Sequence, residues 1–297
     1  MQSPYPSVTI HRALTHSAGI PSGSDFSLDH NSLGCSWSRG ETAQCAAVQR
    51  CSALMKWSRA FTELILDFAA RVAAVDGISL DAALLTATPL YPNFKLGMAF
   101  DASQPVWQEY LAGCHDAADL VAWTRAFYLA HARQYHPHPF GCFEYHYVAE
   151  TRTAGLHFGN LDTSGLGALS RERRLVRMRE LRALFTDLRR QHPEAETIQG
   201  GSWLYNLPAY RALFPPEYVA TATPTRPGFT FLDVWGKFLD GHWAVRPEPA
   251  QSFRASLERA HSHADLEVSF PLWPLSIRGA IQLHYDFYGI ERGSWPL

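Results

Sequence analysis

The chain has 297 residues, 46% of them hydrophobic, enough for one large domain or two small ones with a core each. Its 26 basic and 28 acidic residues leave a net charge of −2, which gives the whole molecule no polyanion-binding character and argues against nucleic acid as a partner. The five cysteines are odd in number and form no Cys-x-x-Cys pair, so a reduced, cytoplasmic protein without structural zinc or a disulfide frame is expected.

Residues 1–54 are rich in Ser, Gly, Pro, Thr and Gln and show no sustained apolar period. Such a segment buries too little apolar surface to offset its ordering entropy, and a mostly disordered tail is expected there. No charged stretch followed by an apolar one opens the chain, so no secretory signal is predicted. Residues 55–137 read as an α-helical part. From Trp57 to Val75 the apolar positions Phe61, Leu64, Ile65, Phe68, Val72 and Val75 recur at three and four, as on one face of a helix, and Gly77 closes it. The most apolar part, Leu64 to Val75, is interrupted by Asp67 and Arg71 and falls short of the about 20 apolar residues that span a bilayer, so no membrane anchor is expected. A loop at Pro89 and Pro92 precedes two more helices, Val106 to Ala112 and Asp116 to Tyr135, the second capped by Asp116.

"YHPHPFG" ends the helical part, and residues 138–297 change character. "CFEYHYVAE" and "TAGLHFGN" alternate as strands do, joined by a tight connection at Thr151 and Arg152. Ser170 to Arg190 is a long helix with Leu175, Met178, Leu181, Leu184, Phe185 and Leu188 as its buried stripe and Ser170 as its cap. "TIQGGSWL" reads as a strand and Pro208 to Phe214 as a short helix. "YVATATP" and "GFTFLDVWGKF" read as two more strands, the second also compatible with a helix. A helix from Pro249 to Ala260 and an aromatic segment ending near Tyr288 complete the chain. The fold class is therefore α+β: a mixed, mostly antiparallel sheet with one long helix packed on it, preceded by a helical part.

Among fourteen histidines, His146 and His157 are placed to meet. A two-residue turn at Thr151–Arg152 would pair them directly, with Glu144 two residues along on the same face. Two histidines and a carboxylate can hold a divalent metal, can supply a general base, or can simply pack. Trp203, Trp235 and His242, with Phe238, Trp243 and Trp273 nearby in sequence or type, are aromatic enough to line a small-molecule pocket and equally suited to an ordinary core.

From Thr153 the order is strand, small-residue loop, long helix, strand, short helix, strand, strand. "DTSGLG" places Gly165 and Gly167 just before the helix, and "NLPAYRALF" follows the next strand. This order and these motifs resemble the GNAT superfamily of acyl-CoA N-acyltransferases over residues ~140–238. In that family a strand splays from its neighbour and feeds a [QR]xxGx[GA] loop, whose amides bind the CoA pyrophosphate at a helix N-terminus. The resemblance implies acyl-CoA as co-substrate, an unknown amine as acceptor and no metal. It implies that Gly165 and Gly167 present amides to the pyrophosphate and that Arg171 and Arg174, two of eight arginines in the helix, neutralise it. His157, or Glu144 beside it, would be the base, and His146, Trp203, Trp235 and His242 would face the acceptor. Two positions depart from the pattern. Asp162 stands where the family has Gln or Arg, and Leu213 stands where a tyrosine often protonates the leaving thiolate, which leaves Tyr210 as the acid. Two alternatives remain: a metal-dependent enzyme using Glu144, His146 and His157, and a non-enzymatic small-molecule binder.

Overall fold

The computed structural model describes residues 57–131 and 138–291. The expected tail, residues 1–54, lies outside the described residues. Helix α1 (Arg59–Asp76) starts where the Ser58 hydroxyl accepts the Phe61 amide at 3.2 Å and ends at Gly77, as its periodicity predicts. Helices α2 (Leu80–Ala87), α3 (Leu90–Asn93), α4 (Pro105–Asp116) and α5 (Leu120–His131) follow. Asp116 closes α4 instead of capping the next helix. Ala117 is extended there, and the carboxylate of Asp119 accepts the Ala122 amide at 2.9 Å, so α5 begins later than expected.

Strands β1 (Phe143–Val148) and β2 (Thr153–Phe158) precede α6 (Arg174–Gln191), and β3 (Thr197–Ser202) follows it. Two single-turn helices, α7 (Pro208–Arg211) and α8 (Pro216–Val219), lead to the short β4 (Thr223–Pro224). "GFTFLDVWGKF", read first as a strand, forms α9 (Leu232–Trp235) and a 3-10 turn (Gly236–Phe238). Its buried residues Val234, Trp235 and Phe238 fall at helical spacing, and that outweighs the β propensity of the aromatics. Helices α10 (Pro247–Glu258) and α11 (His263–Val268), strand β5 (Leu275–Ala280) and α12 (Gln282–Tyr288) complete the described chain.

The class is α+β with one mixed five-stranded sheet, in the order β1-β2-β3-β5-β4. Only β2 and β3 run parallel, and α6 is the crossover between them. The other three pairs are antiparallel. Phe143, Leu156, Ile198 and Ile277 point to one face, where they bury Leu181, Leu184, Phe185 and Leu188 of α6; each of these four contributes roughly 2 kcal/mol. His146, His157, Gln199 and Arg278 alternate onto the other face and stay exposed.

A second core is helical, and the N-terminal part does not build it alone. Phe61, Leu64, Ile65 and Phe68 of α1 pack with Trp107 and Tyr110 of α4, and also with Phe229, Trp235, Phe253 and Phe270 from far downstream. Between β4 and β5 the chain therefore leaves the sheet, completes the helical core, and returns. No helix among the described residues is long and apolar enough to cross a membrane.

Candidate functional site

The loop between β1 and β2 is longer than the two-residue turn expected from sequence. Ala149–Thr151 form a 3-10 turn and Arg152 takes a left-handed conformation at φ 47, so Val148 pairs with Thr153. A two-residue hairpin turn needs positive φ at both centres, which β-branched Thr151 resists. The register moves accordingly: Glu144 opposes His157, and His146 opposes Gly155. With no Cβ at Gly155, the His146 ring lies over it and its Nδ1 reaches His157 Nε2 at 2.7 Å. Loss of water, then the neighbouring His146, lowers the pKa of His157, although the residue keeps solvent contact. Glu144 turns instead to His138, 3.4 Å from its Nε2. No group of three His, Cys, Asp or Glu able to hold a metal occurs among the described residues, so the ligand set of Glu144, His146 and His157 is not assembled.

Beneath the glycine loop the charges are paired. Asp162 points away from the loop's open side: its fully buried carboxylate accepts from Arg173 at 2.6 Å and from Arg177 at 3.0 Å. Arg177, only 2% exposed, also meets Glu180 at 2.9 Å and the Cys142 thiol. Arg177 thus occupies a place in the buried stripe of α6, while Leu175, expected there, is 66% exposed. The same pull shapes the helix start. Arg171–Arg173 form a 3-10 turn, Ser170 makes no side-chain cap, and α6 proper starts at Arg174. Burial pushes the Asp162 carboxyl up, but its bonds from Ser164, Arg173 and Arg177 outweigh this and hold it below its ordinary value. The loop pinned this way turns through Gly165 (φ 78) and Gly167 (φ 81). A Cβ at either would meet nothing within 4 Å, so their backbone is open to a ligand.

The parallel strands then part. β2 and β3 pair from Thr153 with Thr197 to Leu156 with Gly200 and no further, although both strands continue by two residues. A cavity of about 620 Å3 opens at these ends. One side is Phe158, Gly167 and Ser170; another is Ser202, Trp203 and Leu207; the third is Asp233, Leu239, Trp243 and Arg246. Asn160, leaving β2, donates to the Gly241 carbonyl at 2.9 Å and so ties the first side to the third, while its own Oδ1 is buried without a partner. Two other clefts, of about 550 and 560 Å3, lie along the outer face of α6 and beside Tyr285. Neither of those includes the glycine loop.

The cavity's two carboxylates differ. Asp240 is occupied by its own turn, accepting the amides of His242 at 2.8 Å and Ala244 at 3.0 Å, which holds Trp243 at a positive φ of 63. Asp233 accepts no hydrogen bond and joins no ion pair among the described residues. The residue is solvent-exposed, and partial desolvation by the nearby protein pushes its carboxyl up to about 6.

Of the residues singled out from sequence, Gly167 and Trp203 line the cavity, and Gly165 lies on the same loop. Arg171 and Arg174 are exposed at the helix start beside it. Trp235 is fully buried in the helical core with its indole N–H donating to Phe229, so it faces no acceptor. His242 is exposed on the Asp240 turn outside the cavity lining. Tyr210 packs behind Phe158, ring centroids 5.5 Å apart, and burial raises its hydroxyl well above the ordinary value, so it is poorly placed and poorly matched as an acid. His157, His146 and Glu144 lie on the sheet's opposite face from Phe158. Asp233 and Arg246 went unrecognised in the sequence; the available signal was a lone carboxylate inside the aromatic run "TFLDVW".

No protein-family model matches the chain, and no curated protein or solved structure is significantly similar to it.

Proposed function

We propose that the chain is a GNAT-like acyltransferase that takes an acyl-CoA donor and an amine acceptor. The observation that carries this reading is the parting of β2 from β3 after Leu156 and Gly200, into a cavity bounded by a glycine loop at the start of the long helix. An acyl-pantetheine arm fits such a cleft between strand ends. Gly165 and Gly167, where a Cβ would meet nothing within 4 Å, leave a pyrophosphate room to approach the loop backbone, and the exposed Arg171 and Arg174 at the helix start support neutralising it. Asp162, which departs from the family pattern, is no obstacle because Arg173 and Arg177 neutralise it beneath the loop. In the reaction the amine nitrogen attacks the thioester carbonyl carbon, the carbon–sulfur bond breaks, and the proton lost by nitrogen ends on the departing thiolate. The base is more reasonably Asp233, inside the cavity, than His157, on the far face.

The test is a thermal-shift titration with CoA and acetyl-CoA on the native chain and on Gly167→Trp. A ligand bound only by the folded state raises Tm with its concentration. Both ligands should do so for the native chain. The tryptophan variant should lose that increment, read against its own ligand-free Tm because a side chain at φ 81 is strained. No stabilisation of the native chain at millimolar ligand sinks the proposal.

A further inference from the structure

We infer that the acceptor side of the cavity binds a zwitterion, a free amino acid with a large apolar side chain. The inference rests on the acyltransferase reading only for the word acceptor; the site itself is argued from its own charges. Asp233 and Arg246 line one cavity, and neither belongs to an ion pair among the described residues. Both side chains are exposed to the solvent that fills the cavity, so water satisfies them in the free protein and a ligand of complementary charge can replace that water. Here the backbone keeps them in place separately. Asp233 sits on α9. Arg246 is held by main-chain bonds, its amide to Phe238 at 2.8 Å and its Nη1 to the Lys237 carbonyl at 3.2 Å, which leaves the rest of the guanidinium available. The third charged group of the wall, Asp240, has its Oδ1 fixed by its own turn, so its carboxylate is oriented by the backbone amides of His242 and Ala244.

One ammonium and one carboxylate on the same ligand would satisfy both groups together. A plain amine would leave Arg246 without a partner, and a plain acid would leave Asp233 so. The remaining walls are apolar: Phe158, Trp203, Leu207, Leu239 and Trp243. Trp203 lies against the end of α9, where a Cβ on Gly236 would come within 3.0 Å of its Nε1, so the indole flanks the segment that carries Asp233. An aromatic or long aliphatic side chain is the natural occupant of that space.

Calorimetry on the full chain without CoA, with L-phenylalanine, phenethylamine and 3-phenylpropionate as probes, tests this. L-Phenylalanine should bind about tenfold or more tightly than either one-charge analogue, as expected for a charge-assisted bond lost from a cavity. Asp233→Asn should erase its advantage over 3-phenylpropionate and keep its advantage over phenethylamine. Arg246→Gln should do the reverse, and this crossed pattern is one that loss of folding does not produce. Equal binding of the three probes, binding of phenethylamine alone, no binding of any at millimolar concentration, or variants that leave the ratios unmoved would each overturn the inference. A CoA shift without discrimination among the probes would remove the amino-acid site and leave the donor reading standing. Discrimination without a CoA shift would do the opposite.

Discussion

Two aspartates, one beneath the glycine loop and one on the cavity wall, show what pairing decides. Asp162, below the glycine loop, has its side chain shielded from solvent and held by two arginines and its own Ser164 turn. Its ionised form is favoured, and its role is to fasten a loop to a helix. Asp233, on the third wall, is open to water and has no cation beside it among the described residues, and desolvation pushes its carboxyl up to about 6, so it is still mostly ionised at pH 7. A buried carboxylate with a full complement of donors belongs to the architecture. One that faces a cavity without a protein partner stays open to a ligand of opposite charge.

Breaking the paired side should have the largest effect. Arg177→Met would leave Asp162 and Glu180 facing each other without the cation between them. Losing one partner of a buried ion pair costs about 3–5 kcal/mol. For a chain of this size that lowers Tm by roughly 10 °C. Thermal or urea unfolding checks it, and a change below about 1 kcal/mol would show that Arg173 suffices alone.

The unpaired side should respond with the opposite sign. The folded-state pKa of Asp233, about 6, is above its unfolded value of 3.8, so its contribution favours folding at low pH and is lost as pH rises through 6. Asp233→Asn does not ionise. It should therefore be more stable than the native chain above pH 6, by about 1 kcal/mol after allowance for the water that reaches the group, with no difference remaining below the unfolded value. Unfolding curves from pH 4 to pH 8 would show it. A variant less stable at the upper end would mean that Asp233 has a partner after all.

The smallest effect is expected on the sheet's open face, where neither member of the pair is forced into place. Gly155→Ala puts a methyl where the His146 ring lies, only 2.0 Å from its Cε1. The ring is exposed and free to swing out, so stability should change little. His157 should lose its hydrogen bond, and its pKa should rise toward the ordinary imidazole value. Titration of the imidazole resonances by NMR would show this, and an unmoved His157 would mean that burial alone sets its pKa.

What could be read from sequence followed the range of the interaction. Helix α1 was legible because its periodicity and its closing Gly77 are local. The β1–β2 pair was legible as strands, and its residues were assigned to the correct face, but the register depended on a loop whose length propensity did not give. Arg177 could not be placed, because a charged residue within an arginine-rich helix reads as solvent-facing until Asp162 is known to lie against it. Asp233 was hidden for the same reason: three segments remote in sequence build its cavity, and no periodic pattern records that.

The excursion between β4 and β5 has a consequence for how the molecule assembles. Pro224 and Leu275 are neighbours across a strand pair, and closing that pair directly would fix a loop of about 50 residues, an entropic cost met before any sheet contact rewards it. The loop is not slack, however. Phe229, Trp235, Phe253 and Phe270 dock on α1 and its neighbours, and once docked they leave only short leads to the sheet edge. In the native structure the helical core therefore holds both ends of this segment close to the sheet edge, so the two cores share one stretch of chain and each depends on it.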